Sequence, residues 1–162
     1  MKRQINLSQK VWTRLDYWFA FGFGSGLAPY APGTFGTLAA VPIYYYVMMN
    51  LSPLSYLTVL LAAFLGGVYV CSVVSMELGE HDFQGIVCDE IVGYLLTMFL
   101  APVGLSWMIL GFCLFRLFDI WKPFFVGWVD SRVKGGLGIM LDDVVAALPA
   151  MALLQLIHFL IA

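Results

Sequence analysis

The chain has 162 residues, a length that fits one domain over residues 1–162. Apolar residues make up 62% of it against about 45–50% in soluble domains, and charged residues make up 11% against about 25%. This composition argues against a soluble globular enzyme and against intrinsic disorder, and it predicts an integral membrane protein. The formal net charge is only −2, so we expect no nucleic-acid partner.

The N-terminal part combines a basic segment with a stretch rich in glycine and proline. Lys2, Arg3, Lys10 and Arg14 precede the long uncharged stretch that begins at residue 17, and the positive-inside rule assigns them to the cytoplasm. Residues 19–36 contain five Gly and two Pro, which interrupt regular helix. We predict a re-entrant or interfacial loop over 19–36, because irregular backbone at membrane depth persists only inside protein or beside a wet cavity.

The rest of the chain divides into apolar stretches of roughly membrane length. A single helix over 89–118 would be about 45 Å long, too long for a hydrocarbon core of about 30 Å, so we expect residues 101–104 to split it into a hairpin. The predicted membrane segments are 35–51 (kinked by Pro42), 54–76, 86–101, 104–121 and 136–162. The sequence therefore predicts an all-α, polytopic membrane bundle with about five segments, some short or kinked.

The charged residues are clustered, and this topology gathers them. The stretches 17–76, 91–115 and 144–162 contain no Asp, Glu, Lys or Arg. Counting crossings from a cytoplasmic N-terminus puts all 18 charged side chains on or near one face. A four-segment topology would instead leave two half-sites about a bilayer apart, so we favour five segments.

The first candidate constellation is His81 and Asp82 followed by Asp89 and Glu90. Mg²⁺ prefers carboxylate oxygen and water, and it is commonly held by one or two carboxylates plus a substrate phosphate. The alternative is a solvated loop whose acids stabilise a helix N-terminus. Because Asp89 and Glu90 lead into apolar sequence, we predict a metal or catalytic role for them.

The second constellation is Arg116, Asp119 and Lys122. A spacing of three residues puts all three along one face of a helix. Two cations around one acid suit a phosphate clamp with an orienting carboxylate. A row of interfacial salt bridges is the alternative interpretation.

The third constellation begins at Gly135 and Gly136 and ends at Asp142 and Asp143. Glycines let backbone N–H groups approach an anion closely, and a helix N-terminus adds the positive end of its dipole. Adjacent helical residues diverge by about 100°, so the two acids cannot point the same way. One could ligate a metal while the other holds a second group.

A fourth, uncharged candidate lies in the glycine-rich region. Gly33, Thr34 and Thr37 offer hydroxyl and backbone groups that could contact phosphate. A packing or turn role is the alternative for this stretch.

Inspection excludes several phosphoryl-transfer chemistries. No Cys is followed six residues later by Arg, no D-x-D occurs, two His are too few for histidine-based phosphatase chemistry, and GxxxxGK[ST] is absent. The acids remain, and they suit metal-assisted hydrolysis.

Four blocks in order carry a resemblance that covers nearly the whole chain. They read GFGSGLAPYAPGTFGTLAA at 22–40, HDFQGIVCDE at 81–90, FRLFDIWKP at 115–123 and GGLGIMLDDVVA at 135–146. The sequence closely resembles the bacterial phosphatidylglycerophosphatase A family of inner-membrane lipid phosphatases. The resemblance implies Mg²⁺-dependent hydrolysis of the membrane phospholipid phosphatidylglycerophosphate to phosphatidylglycerol and phosphate. It also implies a multi-pass protein of the bacterial inner membrane, with its active site facing the cytoplasm.

Together with this resemblance, the residue types suggest which candidates bind metal, which bind phosphate and which transfer a proton. Asp89, Glu90, Asp142 and Asp143 are the candidate Mg²⁺ ligands and catalytic acids. Arg116 and Lys122 are expected to hold the phosphate, with Asp119 orienting them and Gly33, Thr34, Thr37, Gly135 and Gly136 as further substrate-binding candidates. Asp82 or His81 is the candidate for proton transfer.

Two other functions use the same acids. A small ion carrier would distribute acids across the membrane depth, whereas the predicted topology collects them on one side. An intramembrane aspartyl protease is suggested by glycines before Asp142 and Asp143, but the spacing differs from GxGD and no upstream Tyr-Asp pair occurs. The sequence leaves open the oligomeric state, the number of metal ions and the attacking group.

Overall fold

The computed structural model describes residues 6–80, 83–121 and 133–161, and every regular element in these ranges is helical. The helices are α1 (Leu7–Thr13), α2 (Leu15–Ala20), α3 (Pro32–Tyr46), α4 (Pro53–Leu78), α5 (Cys88–Thr97), α6 (Leu105–Trp121) and α7 (Gly135–Ile161). Short 3₁₀ turns lie at Gly22–Leu27 and Met48–Asn50. The all-α prediction is confirmed.

Local sequence sets the ends of the long helix α4. Ser52 caps its N-terminus by accepting a hydrogen bond from the Ser55 N–H, and Pro53 occupies the first turn, where a missing N–H costs nothing. Gly79 ends the helix in the left-handed conformation at φ 75°, which residues with a Cβ adopt at a cost.

The middle of the chain forms the predicted hairpin. Helix α5 ends at Thr97 and α6 begins at Leu105, with Pro102 in the connection. The backbone reverses through positive φ at Leu100 (57°) and Gly104 (148°). One continuous middle helix is thereby excluded, and the two acids that begin α5 lie at the same end of the hairpin as the end of α6.

Helix α7 is the centre of the bundle. It packs against α4, α5 and α6, while α3 packs against α5. Gly93 allows the close contact of α5 with its neighbours, since a Cβ there would lie 2.6 Å from the Phe115 ring and 3.2 Å from Asp143 Cβ. Small residues at helix crossings are typical of membrane bundles.

Two of the five predicted membrane segments have the length of a full crossing. Helices α4 and α7 have 26 and 27 residues and mean hydropathies of 2.3 and 2.2 in their most apolar windows. Only 22% of each window is buried, so these helices present apolar side chains outward, as a lipid-facing helix does.

The other predicted segments are shorter than expected. Helices α3, α5 and α6 have 15, 10 and 17 residues, against about 20 for a crossing helix. The segment predicted over 35–51 fails because its last part is a 3₁₀ turn at Met48–Asn50 rather than helix. Hydropathy alone therefore predicts more full membrane crossings than the lengths of the described helices support.

The glycine-rich region packs against the segment that leads into α5. A Cβ on Gly26 would collide with the Gly85 carbonyl, and one on Gly36 would lie 2.7 Å from Val87 Cβ. The Val87 N–H also donates to the Ala20 carbonyl at 2.9 Å. The region predicted as a loop over 19–36 is in part regular helix, because α3 begins at Pro32, and its glycines fix the position at which α5 starts.

Candidate active site

Asp89 and Glu90 lie in the first turn of α5. Negative side chains are stabilised at this end of a helix by the dipole and the unpaired N–H groups. Asp89 is 9% exposed, so its carboxyl group lies inside the protein rather than on a solvated loop. The structure therefore gives these two acids the buried setting that a metal or catalytic role requires.

Asp142 and Asp143 lie in α7, where it crosses α5 and α6, and they are 8% and 3% exposed. Asp143 lies beside Gly93 of α5. The helix crossing therefore places the acids of α7 next to the acids of α5.

The five acids form two overlapping groups. One carboxylate oxygen each from Asp89, Glu90 and Asp143 lies within 4.8 Å of the others, and the same holds for Asp119, Asp142 and Asp143. Oxygen ligands on opposite sides of Mg²⁺ are about 4.2 Å apart, so small side-chain adjustments bring either group into ligand range. We call Asp89, Glu90, Asp119, Asp142 and Asp143, together with Arg116, the acidic site.

Arg116 is the cation that the described residues bring into this site. Its Nη1 donates to Asp119 Oδ2 at 2.5 Å and lies 4.0 Å from Glu90 Oε1. The guanidinium is only 15% exposed, and the two acids beside it are each 14% exposed. Asp119 therefore holds Arg116 in place, as the three-residue spacing predicted.

Several polar atoms of the acidic site have no hydrogen-bond partner within the described ranges 6–80, 83–121 and 133–161. They are Asp89 Oδ1, Glu90 Oε2, Asp143 Oδ2 and Arg116 Nε. A buried polar atom without a partner costs about 1–3 kcal/mol, and more when it is charged. The donor set thus suits a hard divalent cation on the carboxylate side and an anionic oxygen on the guanidinium side.

The beginning of α3 borders the acidic site at Gly33. A Cβ at this position would collide with Glu90 Oε1 and lie 3.2 Å from Arg116 Nη1. The positive end of the α3 dipole consequently lies beside the groups that would bind phosphate. Thr34 follows, half-buried, with its N–H donating to the Ala31 carbonyl at 2.9 Å.

Two predicted substrate-binding residues, Thr37 and Gly136, make contacts that support the helices. The buried Thr37 hydroxyl donates to the Gly33 carbonyl at 2.9 Å, so it supports the first turn of α3. The Gly136 N–H donates to Ser72 Oγ at 3.2 Å, and a Cβ at Gly136 would collide with the backbone of α4. Gly136 lets α7 pack closely on α4, and its assignment to phosphate binding stays a prediction. Gly135 precedes it at φ 74°, a conformation that favours glycine.

Three predicted site residues, His81, Asp82 and Lys122, lie outside the described residues. Their assignment to proton transfer and phosphate binding stays a prediction.

The position of Asp119 among the clustered carboxylates was not predicted from the sequence. The residue spacing assigned Asp119 only to orienting cations, whereas the structure puts its carboxylate beside those of Asp142 and Asp143. The signal was present in part, since a residue three positions after Arg116 must face the same way. The missing information was that this face of α6 turns toward α7.

A second charged group lies at the start of the chain. Lys10 contacts Glu77 at 2.8 Å, and Arg14 contacts Glu77 at 2.7 Å and Asp16 at 2.6 Å. We call Lys10, Arg14, Asp16 and Glu77 the N-terminal charge cluster. Hydrogen bonding to Arg14 lowers the pKa of Asp16, and hydrogen bonding to Glu77 raises the pKa of Lys10. Each charge in this cluster has an opposite partner.

Comparisons with known proteins identify the family of this chain. The sequence model of the family described as phosphatidylglycerophosphatase A matches residues 18–158. Two relatives carry that name. The Escherichia coli K12 protein is 42% identical over 85% of this chain and 80% of its own length, and the Haemophilus influenzae Rd protein is 38% identical over 86% of each.

A third relative, from Bacteroides thetaiotaomicron, is 35% identical over 86% of this chain and 91% of its own length. It is provisionally named a phosphatidylinositol-3-phosphatase. No solved structure matches the chain. The family match covers all of the acidic site, and the chain therefore belongs to the phosphatidylglycerophosphatase A family and is a phosphatase.

Proposed function

We propose that this protein hydrolyses phosphatidylglycerophosphate to phosphatidylglycerol and inorganic phosphate, and that the reaction depends on Mg²⁺. The observation that carries the proposal is the acidic site, in which five carboxyl groups cluster and one guanidinium contacts two of them. This is the donor set for a hard cation together with a phosphate group. The names of the two bacterial relatives support the choice of substrate.

The surroundings of Arg116 favour a lipid phosphate over a soluble one. Arg116 also lines an open groove of about 930 Å³ along α6, whose other lining residues are all apolar or weakly polar: Phe112, Cys113, Leu117, Ile120 and Trp121. A phosphate at the guanidinium would thus have an apolar surface directly beside it. Acyl chains could remain against this surface, so the lipid need not leave the bilayer.

Each residue of the acidic site has a distinct part in this proposal. Asp89, Glu90, Asp142 and Asp143 would hold Mg²⁺, which supplies Lewis-acid withdrawal of charge from the phosphoryl oxygens when bound. Arg116 binds a phosphate oxygen through its Nε–H, which has no partner among the described residues, while Asp119 keeps its Nη1 fixed.

Groups around the site complete the proposal. The N-terminal end of α3 at Gly33 adds positive potential next to the phosphate. His81 or Asp82 stays the predicted proton donor to the leaving glycerol oxygen.

We also propose that the protein crosses the bacterial inner membrane several times with the acidic site at the cytoplasmic face. Two helices of crossing length and a basic N-terminus support this arrangement. Single cysteines at Ser52, Val103 and Lys134, in a background without native cysteines, test it. The proposal expects a membrane-impermeant thiol reagent to label Ser52→Cys and Val103→Cys from the periplasmic side and Lys134→Cys only after cell lysis; labelling of all three from one side would overturn it.

The activity test measures phosphate release from phosphatidylglycerophosphate by purified protein in detergent. We expect release with Mg²⁺, no release with EDTA, and recovery when Mg²⁺ is restored in excess. Asp142→Asn should lose release, while Asp16→Asn, which has the same chemical change in the N-terminal charge cluster, should retain it. Folded wild-type protein that releases no phosphate with Mg²⁺ would overturn the proposed function.

An assay with a second substrate distinguishes between the two phosphatase activities for which the relatives are named. The same assay with phosphatidylinositol 3-phosphate should give a kcat/KM at least about tenfold lower, a difference of about 1.4 kcal/mol in transition-state binding. A preference for the inositol lipid would refute the proposed substrate and keep the phosphatase. Phosphorus trapped on the protein after rapid quenching would show a covalent intermediate, and its absence would favour direct attack by water.

A further inference from the structure

We propose that the acidic site binds two divalent cations side by side, that Asp143 bridges them, and that Asp119 is a ligand of the second cation. This inference rests on the proposed function, because it adds a cation to the same site. It also changes the role of Asp119, which becomes a metal ligand as well as the residue that holds Arg116.

The arrangement of the carboxylates is the first argument. The two groups of ligand-range oxygens share Asp143 and otherwise use different residues: Asp89 and Glu90 in one, Asp119 and Asp142 in the other. A carboxylate has two oxygens and can bind a different cation through each. In two-metal phosphoryl sites the cations are about 3.5–4 Å apart, a spacing that one bridging carboxylate spans.

The second, independent argument is the state of the buried oxygens. Asp89 Oδ1 and Asp143 Oδ2 are buried without a hydrogen-bond partner among the described residues, and these residues are 9% and 3% exposed. Asp143 contributes to both groups, so the residue that the two groups share is also one with a buried oxygen that has no described hydrogen-bond partner. Buried carboxylates of this kind are ordinarily paired with cations or bound to metal.

The test titrates the purified full-length protein in detergent with Mn²⁺, which replaces Mg²⁺ in oxygen-ligand sites and is detected by electron paramagnetic resonance. We expect about two Mn²⁺ per chain and the exchange-coupled spectrum of two neighbouring ions. A wild-type protein that saturates with one Mn²⁺ and shows only an isolated-ion spectrum overturns the inference. This result does not depend on any variant folding.

Two substitutions assign the ligands. Asp119→Asn should bind the first Mn²⁺ normally and the second at least about tenfold more weakly, with an isolated-ion spectrum at one equivalent. Arg116→Gln removes the partner of Asp119 but no carboxylate, so it should keep two coupled ions if Asp119 is a ligand. If Asp119 acts only by holding Arg116, Asp119→Asn should keep two coupled ions as well, and that result refutes its role as a ligand.

Phosphate release measured on the same samples separates this inference from the proposed function. One bound Mn²⁺ with full phosphate release would refute the second cation and leave the phosphatase. Two coupled ions with no release from phosphatidylglycerophosphate would support the cation pair and refute the proposed substrate.

Discussion

The N-terminal charge cluster and the acidic site contain similar residue types but differ in how their charges are paired and buried. In the N-terminal charge cluster, two cations and two acids pair at 2.6–2.8 Å, and Arg14 and Glu77 are 41% and 36% exposed. In the acidic site, five carboxylates cluster together, Arg116 contacts two of them, and three carboxylate oxygens are buried without a partner among the described residues. The first arrangement is complete as it stands, and the second is the setting for the proposed cation and phosphate.

The difference shows how charge can be assigned a role in a chain with few charges. Exposed pairs gain little, about 0–1 kcal/mol, because water screens them. Burying a carboxylate without a counter-charge costs free energy. Proteins therefore retain such acids where a cation binds to them or where they take part in chemistry. Substitutions in the two regions should therefore differ greatly in their effect on activity, and by less in their effect on stability.

The largest effect is expected for Asp143, which belongs to both groups of ligand-range oxygens. Asp143→Asn should lower kcat/KM by about 10³-fold or more, because several kcal/mol of cation-dependent stabilisation is lost. The measurement is phosphate release at saturating Mg²⁺. Asp16→Asn is the matched control and should remain within about twofold of the wild type, and equal losses in the two variants would remove the distinction between the regions.

Arg116 should give the next largest effect. Arg116→Gln removes the charge that would contact phosphate, and we expect kcat/KM to fall by about 10²-fold, as for loss of a charge-assisted hydrogen bond to a developing anion. Arg116→Lys should recover part of the loss but not all of it, since an ammonium cannot donate to Asp119 and to phosphate in the fixed geometry of a guanidinium.

Steady-state kinetics with phosphatidylglycerophosphate distinguish the two Arg116 variants. Full activity in Arg116→Lys would show that only a positive charge is required there. Full activity in Arg116→Gln would contradict a role in phosphate binding.

A glycine pair tests whether the contact between α3 and the acidic site matters. Gly33→Ala places a Cβ against Glu90 Oε1, so either the carboxylate or the helix must shift, and we expect kcat/KM to fall by about tenfold. Gly66→Ala is the control. No described atom lies within 4 Å of a Cβ there, and alanine in the middle of α4 should leave activity unchanged and slightly raise the temperature of unfolding.

One result from these two alanine variants would contradict a role for Gly33 in the acidic site. If both alanine variants release phosphate at the wild-type rate, Gly33 serves only to pack α3 on α5, and the N-terminal end of α3 has no part in binding.

Much of the site followed from counting crossings in the sequence. The hairpin between α5 and α6 brings Glu90 and Arg116 to the same end of the bundle, and the structure puts them 4.0 Å apart. Charge clustering therefore carried enough information to predict which residues meet. Lengths of regular helix were less predictable, because an apolar stretch such as 35–51 can end in a 3₁₀ turn without any change in hydropathy.

The finer arrangement depends on helix rotation, which the sequence does not encode locally. Helix α7 has almost no hydrophobic asymmetry around its axis, so no amphipathic face indicates which side meets α4 and which meets α6. For this reason Gly136 was predicted to bind phosphate although it packs on Ser72, and Asp119 was predicted only to orient Arg116. Rotation is decided by close contacts at Gly93 and Gly136, which become visible only when the helices are packed.

The smallest effect belongs to Asp16, and its pH dependence has a definite sign. Arg14 donates two hydrogen bonds to Asp16, which lowers its pKa below the ordinary 3.8. A group whose pKa is lowered by folding contributes stability above its ordinary pKa and loses it as the pH falls through the lowered value. Asp16→Asn should therefore destabilise the protein by about 0.2–1 kcal/mol at pH 7, as for other exposed pairs.

The pH series completes the comparison between the two regions. The difference in unfolding temperature between wild type and Asp16→Asn, followed by circular dichroism in detergent, should be constant from pH 7 to about pH 5 and then shrink as Asp16 becomes protonated. A difference that grows on acidification would contradict the assigned pairing with Arg14. Phosphate release by Asp16→Asn at pH 7 should match the wild type, because Asp16 is paired with Arg14 in the N-terminal charge cluster and is not part of the acidic site.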